Sequence, residues 1–222
     1  MRKLGWLLVV ATVILSPALL AAGDIGDGTM LLEAAASGDA ARVTELLSDG
    51  ARVDVRDAAK RTSLLLATRG DHVDVARALI AAGADVNAKD NIRDTPFLYA
   101  GAEGRDAILR MILDTGRANV KDTNRYGGTA LIPAAHHGHP GAVRILLGTA
   151  IDIDHVNDLG WTALLEAVIL SDGGPVHQEI VGLLVDAGAA NIPDRDGKTP
   201  LDHARARGFG AMADRIAAGQ RR

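Results

Sequence analysis

The chain contains no cysteine, which rules out disulfides and a lipid-modified cysteine together. Aromatic residues make up only 3% against 48% apolar residues, so any core is built from Ala, Leu, Val and Ile. Such a mixture suits thin, close-packed helices better than one thick globular core. Basic residues do not prevail either: 24 Lys and Arg stand against 28 Asp and Glu, with both signs interspersed. No basic stripe is present to follow a phosphate backbone, which argues against nucleic acid as a partner. Gly-x-Ser-x-Gly, His-Glu-x-x-His and phosphate-loop patterns are all missing, and with them the commonest local signatures of hydrolase, zinc-protease and nucleotide chemistry.

Only one long uncharged run occurs, from Leu4 to Gly23, preceded by Arg2 and Lys3 and ending in Ala21, Ala22 and Gly23. A basic start, an apolar middle and a small-residue end form the order of a secretory signal. The expectation is a signal peptide over residues 1–23 and a mature domain over residues 24–222. Cleavage would change the formal charge from −4 to −6. An uncleaved inner-membrane anchor is the alternative, since about 20 apolar residues span a bilayer. The membrane would then be contacted through this segment alone.

The rest of the chain repeats. Thr29, Thr62, Thr95, Thr129, Thr162 and Thr199 are separated by 33, 33, 34, 33 and 37 residues. Each opens a unit such as "TSLLLATRGDHVDVARALIAAGA" or "TPFLYAGAEGRDAILRMILDTGR": a small-residue helix, a Gly or Asp turn, then a helix with Leu, Val and Ile at helical spacing. About six recurrences of one period predict an all-α solenoid of helix-turn-helix repeats joined by short hairpin fingers. Thr is expected to N-cap each first helix, and Pro96 and Pro200 to occupy N1. Ala34, Ala67, Ala100, Ala134, Ala167 and Ala204 let neighbouring helices approach. Gly50, Gly83, Gly116 and Gly188 suit left-handed caps on the second helices.

These units resemble ankyrin repeats in period and in the Thr-Pro-Leu-x-x-Ala start, over nearly all of the chain from Asp24 to Gly219. Departures are informative. Where the family usually has His after Thr-Pro-Leu, this chain carries Leu32, Leu65, Leu98, Ile132, Leu165 and Asp202, so apolar contact replaces a hydrogen bond. Ala150 stands where a capping Gly is common, and Lys60 and Arg93 replace finger glycines, which predicts distorted fingers there. Repeat five holds five extra residues, read as a turn within "SDGGPVHQE". That insertion is similar to one in exported bacterial ankyrin-repeat proteins, and the resemblance implies a periplasmic location. It also implies one alternative to a general interaction module, an accessory factor for a peroxide-defence enzyme such as catalase; a second alternative, independent of that resemblance, is an immunity-type inhibitor of a toxic enzyme.

Candidate chemistry is sparse. His177, Gln178 and Glu179 crowd together without a nucleophile or second carboxylate, so a structural or contact loop is the expectation. His136, His137 and His139 offer three imidazoles within four residues, but His139 falls at a turn where it should bond to backbone. With no obvious fourth ligand nearby, no metal site is expected. "DIDHVND" and "DRDG" lack the spacing of a calcium loop, and "GFGAMA" lacks the strand a dinucleotide fingerprint needs. No cofactor is therefore predicted, and the chain reads as no enzyme.

Scarce aromatics mark the candidate surface instead. Resemblance to the ankyrin fold implies a concave face made by fingers and first helices, which would carry Arg69, Arg93, Tyr99, Tyr126, His136, Trp161 and Glu166. Trp, Tyr and Arg dominate interface energetics, so these seven residues are predicted to bind a protein partner. Packing of Trp161 against an adjacent finger is the alternative for that residue.

Overall fold

A computed structural model describes residues 17–221. Six helix pairs follow one another: α1 (Pro17–Ser37) with α2 (Ala40–Ser48), α3 (Ser63–Arg69) with α4 (Val73–Ala81), α5 (Pro96–Ala102) with α6 (Asp106–Asp114), α7 (Leu131–His136) with α8 (Pro140–Leu147), α9 (Ala163–Ile169) with α10 (Pro175–Asp186), and α11 (Pro200–Ala206) with α12 (Gly210–Gly219). First helices contact first helices of the adjacent pairs and second helices contact second helices, so the array has an inner and an outer layer. Among the described residues there is no strand, only an isolated bridge between Arg56 and Thr62. The predicted solenoid of helix pairs is what the chain forms.

Small residues set the spacing of the inner layer. Ala34, Ala67, Ala100, Ala134, Ala167 and Ala204 are all buried, and Gly101 brings α5 so close to α7 that a Cβ there would lie 2.9 Å from that of Ala130. The outer helices are amphipathic: α6 buries Ile108, Leu109 and Ile112 at helical spacing and turns Arg110 to solvent. Leu65, Leu98, Ile132 and Leu165 are buried. Asp202, at the same register in the last repeat, instead closes a capping box with Thr199.

Every finger from repeat two to repeat six turns on one Asp or Asn. Asp57, Asp90, Asn124, Asn157 and Asp194 each accept, through Oδ1, the backbone N–H groups two and four residues ahead. The third residue after it is left-handed, at Gly127 (φ 71°), Gly160 (φ 86°) and Gly197 (φ 77°), and equally at Lys60 (φ 60°) and Arg93 (φ 67°). The expected distortion at Lys60 and Arg93 is thus absent. The Asp side chain supplies enough hydrogen bonds to hold a Cβ-bearing residue where glycine would sit without strain.

Threonine capping holds at Thr62, Thr95, Thr162 and Thr199 and fails at two positions. Thr29 lies inside α1, because the chain before it is already helical and no finger leads into it. At Thr129 the cause is Pro133. Elsewhere the residue four after the threonine donates its N–H to the threonine carbonyl, as Glu166 does to Thr162. Pro133 has no N–H, so Ile132 donates to the Thr129 carbonyl at 3.2 Å and the buried Thr129 hydroxyl is left without a partner.

The insertion in repeat five is more than a turn. Two of its residues lengthen the connection between α9 and α10, and the remainder extends α10 to 12 residues, with Pro175 at N1. Proline's fixed φ favours that helical start over the turn expected of it. The segment grips both neighbours: Arg207 donates to the carbonyls of Ile169 and Ser171, Phe209 lies against Gly173, and His177 Nε2 lies 3.0 Å from the His136 carbonyl.

The expected signal spans residues 1–23, of which residues 1–16 lie outside the described part. Helix α1 begins at Pro17 and runs through the expected cleavage point. Among the described residues no helix is long and apolar enough to cross a membrane.

Candidate interaction surface

Stacking at a fixed register brings equivalent residues of successive repeats side by side. Counting from each framework threonine, the fourth residue gives Tyr99, Pro133 and Glu166, the seventh gives Arg69, Ala102 and His136, and the eighth gives Glu103, His137 and Leu170. Counting from each finger Asp or Asn, the second residue gives Ile92, Tyr126 and Leu159. All twelve line one cavity of about 540 Å³, opening over the fingers and first helices of repeats three to five and reaching Arg69 of repeat two.

Seven large apolar residues of the described chain are exposed, and four of them, Ile92 (44%), Tyr126 (53%), Leu159 (50%) and Leu170 (42%), face this one cavity. Apolar exposure is therefore concentrated, as at an interaction site, rather than scattered. Two arginines lie over aromatic rings at its walls: the Arg69 guanidinium is 4.8 Å from the Tyr99 ring centroid and that of Arg125 is 4.6 Å from Tyr126. Cation–π contact of this kind holds both partners in fixed orientations.

The floor carries a carboxylate withdrawn from water. Glu166 is only 6% exposed, accepts from Asn157 Nδ2 at 2.8 Å and lies 3.6 Å from His136 Nδ1. Burial raises its pKa above the ordinary value, against the opposing pull of the Asn157 hydrogen bond and His137. Burial likewise lowers that of His136, helped by repulsion from His137 and His177. The pKa of Asp94, also in the lining, is raised by burial and then by neighbouring Asp90, while Arg125 and Arg69 counteract. All three shifts favour the neutral forms, with burial as the largest cause in each.

Of the seven residues singled out from the sequence, Arg69, Tyr99, Tyr126, His136 and Glu166 line the cavity; Arg93 and Trp161 do not. Arg93 is the exposed left-handed residue of its finger. Trp161 is half-buried four residues after Asn157, where its N–H returns to the Asn157 side chain at 3.0 Å. The residue equivalent to Tyr126 in that finger is Leu159. Sequence reasoning missed Ile92, Leu159, Leu170 and Arg125; alignment on the finger Asp or Asn, instead of the threonine, would have found the first two.

The crowded residues of the insertion are engaged in structural bonds. Glu179 pairs with Arg144 at 2.9 Å, Gln178 donates to the Gly173 carbonyl and His177 holds the end of α7. In "DIDHVND", Asp152 accepts from Asp154 N–H, Asp154 from Ala190 N–H, and His155 meets the Gly127 carbonyl. His139 departs from expectation: its imidazole makes no backbone bond, and His137 makes one instead, to Ala102 O at 2.8 Å.

Comparison with known proteins agrees with the repeat geometry. Sequence models of ankyrin repeats match residues 15–90 and 31–124 in a three-copy form and residues 134–170 in a many-copy form. The chain is 40% identical over 189 residues to the ankyrin repeat protein YahD of Escherichia coli (strain K12), covering 84% of this chain and 94% of that one. An ankyrin repeat domain from Acinetobacter baumannii AYE shares 51% identity with a TM-score of 0.82, over 86% of this chain and 97% of its own. The ankyrin repeat domain of Bcl-3, a member of the IkappaB family, superimposes with a TM-score of 0.76 at 27% identity, over 86% and 85% of the two chains.

Proposed function

The chain belongs to the ankyrin-repeat family, whose arrays generally serve as protein–protein interaction modules, and we propose that it is a non-enzymatic binding protein of the periplasm that seats a segment of a partner protein in the cavity over repeats three to five. The observation that carries this reading is the gathering of Ile92, Tyr126, Leu159 and Leu170, exposed and apolar, around one opening. Apolar side chains at a rim contribute to binding when a partner removes them from water, and arginines held over aromatic rings add orientation.

The buried ionisable groups fit binding better than turnover. Glu166 is engaged by the Asn157 side-chain amide, with His136 Nδ1 3.6 Å away, and no hydroxyl nucleophile lines the cavity beside the two tyrosines. Export is supported by Arg2, Lys3 and the apolar run to Gly23. The periplasm is where a partner is to be sought.

The test is affinity capture from a periplasmic extract with the wild-type chain and with an Ile92→Ser, Tyr126→Ser, Leu159→Ser variant. These exposed residues leave the core untouched, so circular dichroism should be unchanged while the partner is lost. Retention of the same partner at wild-type strength by the folded variant would refute the cavity as the site. The identity of the captured protein separates a peroxide-defence enzyme from a toxic enzyme.

A further inference from the structure

Beside the cavity, where the inner helices of repeats three and four end, the stacking register brings together three metal-ligating side chains from two repeats. Glu103 follows α5 as its C-cap and His137 follows α7 as its C-cap; each is the eighth residue after its framework threonine, so stacking makes them neighbours. His139 is the N-cap of α8. One ring nitrogen of each histidine and one carboxylate oxygen of Glu103 lie within 4.8 Å of one another, and His137 Nδ1 is 3.5 Å from Glu103 Oε1.

The position of His139 has a counterpart that shows what is unusual about it. His72, at the same register in repeat two, meets the Ala36 carbonyl at 3.1 Å. The corresponding carbonyl in repeat three is that of Ala102, and His137 has taken it. His139 is thereby released from the structural bond of its register, and its ring makes no hydrogen bond among the described residues. It lies over Gly104, where a Cβ would come within 2.7 Å of the imidazole. The glycine makes room for the ring.

We propose that Glu103, His137 and His139 form a binding site for a divalent transition-metal ion of the zinc class. Two imidazoles and a carboxylate form a donor set such ions favour over calcium or magnesium. Metal–ligand bonds of about 2.0–2.2 Å place ligand atoms about 3–3.5 Å apart, so the three groups must close by about 1 Å. Side-chain rotation of His137 and Glu103, both more than a third exposed, supplies that movement. With Nδ1–H of His137 donating to the Ala102 carbonyl, Nε2 is the nitrogen left to ligate, and the carbonyl then serves as the outer partner that metal-ligating histidines commonly have. Three protein ligands leave one position open. Glu103 and His137 also line the cavity, so a carboxylate or imidazole of a seated partner can complete the coordination.

The site is tested on the full chain alone, independently of any partner, by isothermal titration with zinc chloride in a non-chelating buffer. Wild type should bind about one equivalent and melt at a higher temperature with zinc than without it. Glu103→Gln and His139→Gln should each weaken that binding by at least about tenfold, the lower range reported for loss of even outer-sphere support. His203→Gln, which removes the His203–Asp194 pair elsewhere, should bind as wild type does. Glu103→Gln keeps the side-chain shape at a partly exposed helix end, so it remains informative if His139→Gln folds poorly. Absence of a one-equivalent site in wild type would overturn the proposal. So would undiminished zinc binding by the Glu103→Gln variant, or a loss seen only with His203→Gln.

Discussion

Threonine-to-valine substitution at two equivalent positions should give opposite results. Thr162 and Thr129 occupy the same register, and both are almost fully buried, at 1% and 2% exposure. The Thr162 hydroxyl accepts the Leu165 N–H at 3.2 Å; the Thr129 hydroxyl has no partner. Thr162→Val removes a cap and strands a buried N–H, which costs about 1–2 kcal/mol. Thr129→Val replaces an unsatisfied hydroxyl by a methyl group of equal size, so it should be neutral or stabilise by up to about 1 kcal/mol. For a chain of this length about 1 kcal/mol corresponds to roughly 2–4 °C in melting temperature. If Pro133 is the cause, Pro133→Ala restores an N–H to the Thr129 carbonyl and frees that of Ile132 to reach the hydroxyl. In that background Thr129→Val should become destabilising by about 1 kcal/mol, a coupling readable in a double-mutant cycle. Urea unfolding followed by circular dichroism gives the energies, and amide exchange at Ile132 and Leu165 localises them. Equal destabilisation by the two valine variants, or no coupling between Thr129 and Pro133, would refute the reasoning.

Other consequences follow from single contacts. Because burial raises the Glu166 pKa, the folded chain binds its proton more readily than the unfolded chain, and this group's contribution to stability falls as pH rises from the ordinary carboxylate value through the raised one. Glu166→Gln keeps an acceptor for Asn157, so it should stabilise the chain at pH 7 and lose that advantage below about pH 4; equal effects at both pH values would contradict the assignment. Arg93→Gly should raise stability by about 0.5–1 kcal/mol, since relief of about 1–2 kcal/mol of left-handed strain exceeds the added unfolded-state freedom; a lower melting temperature would show that the Arg93 side chain contributes more than its backbone costs. Arg207→Ala should loosen the repeat-five insertion by releasing the carbonyls of Ile169 and Ser171, seen as faster amide exchange over residues 170–174 with little change at α3; unchanged exchange would mean that Phe209 alone holds the segment.

Periodic features were legible in advance. The threonine spacing located the six units, and the Ala and Gly positions followed from what close helix approach and left-handed caps require. Local exceptions escaped because they arise from pairs of residues. That Thr129 cannot cap depends on Pro133 four residues on. That Lys60 and Arg93 fit a glycine geometry depends on Asp57 and Asp90, whose side chains hold the finger. Trp161 shares with Tyr126 an aromatic ring and a place in a finger, yet its register is two residues beyond that of Tyr126. Glu103 was invisible as a neighbour of His137 and His139 because it lies 34 residues before the first of them; only the stacking of repeats brings it near. The cavity itself required the fold, since its lining comes from four successive repeats.

The account's central claim is that the cavity over repeats three to five receives the partner. Hydrogen–deuterium exchange of the chain with and without the captured partner tests it most directly. Protection should fall on the fingers at residues 90–94, 124–128 and 157–161 and on the ends of α5, α7 and α9, while the outer helices α6, α8 and α10 exchange as before. Protection confined to the outer helices, or to the repeat-five insertion around residues 170–178, would contradict it.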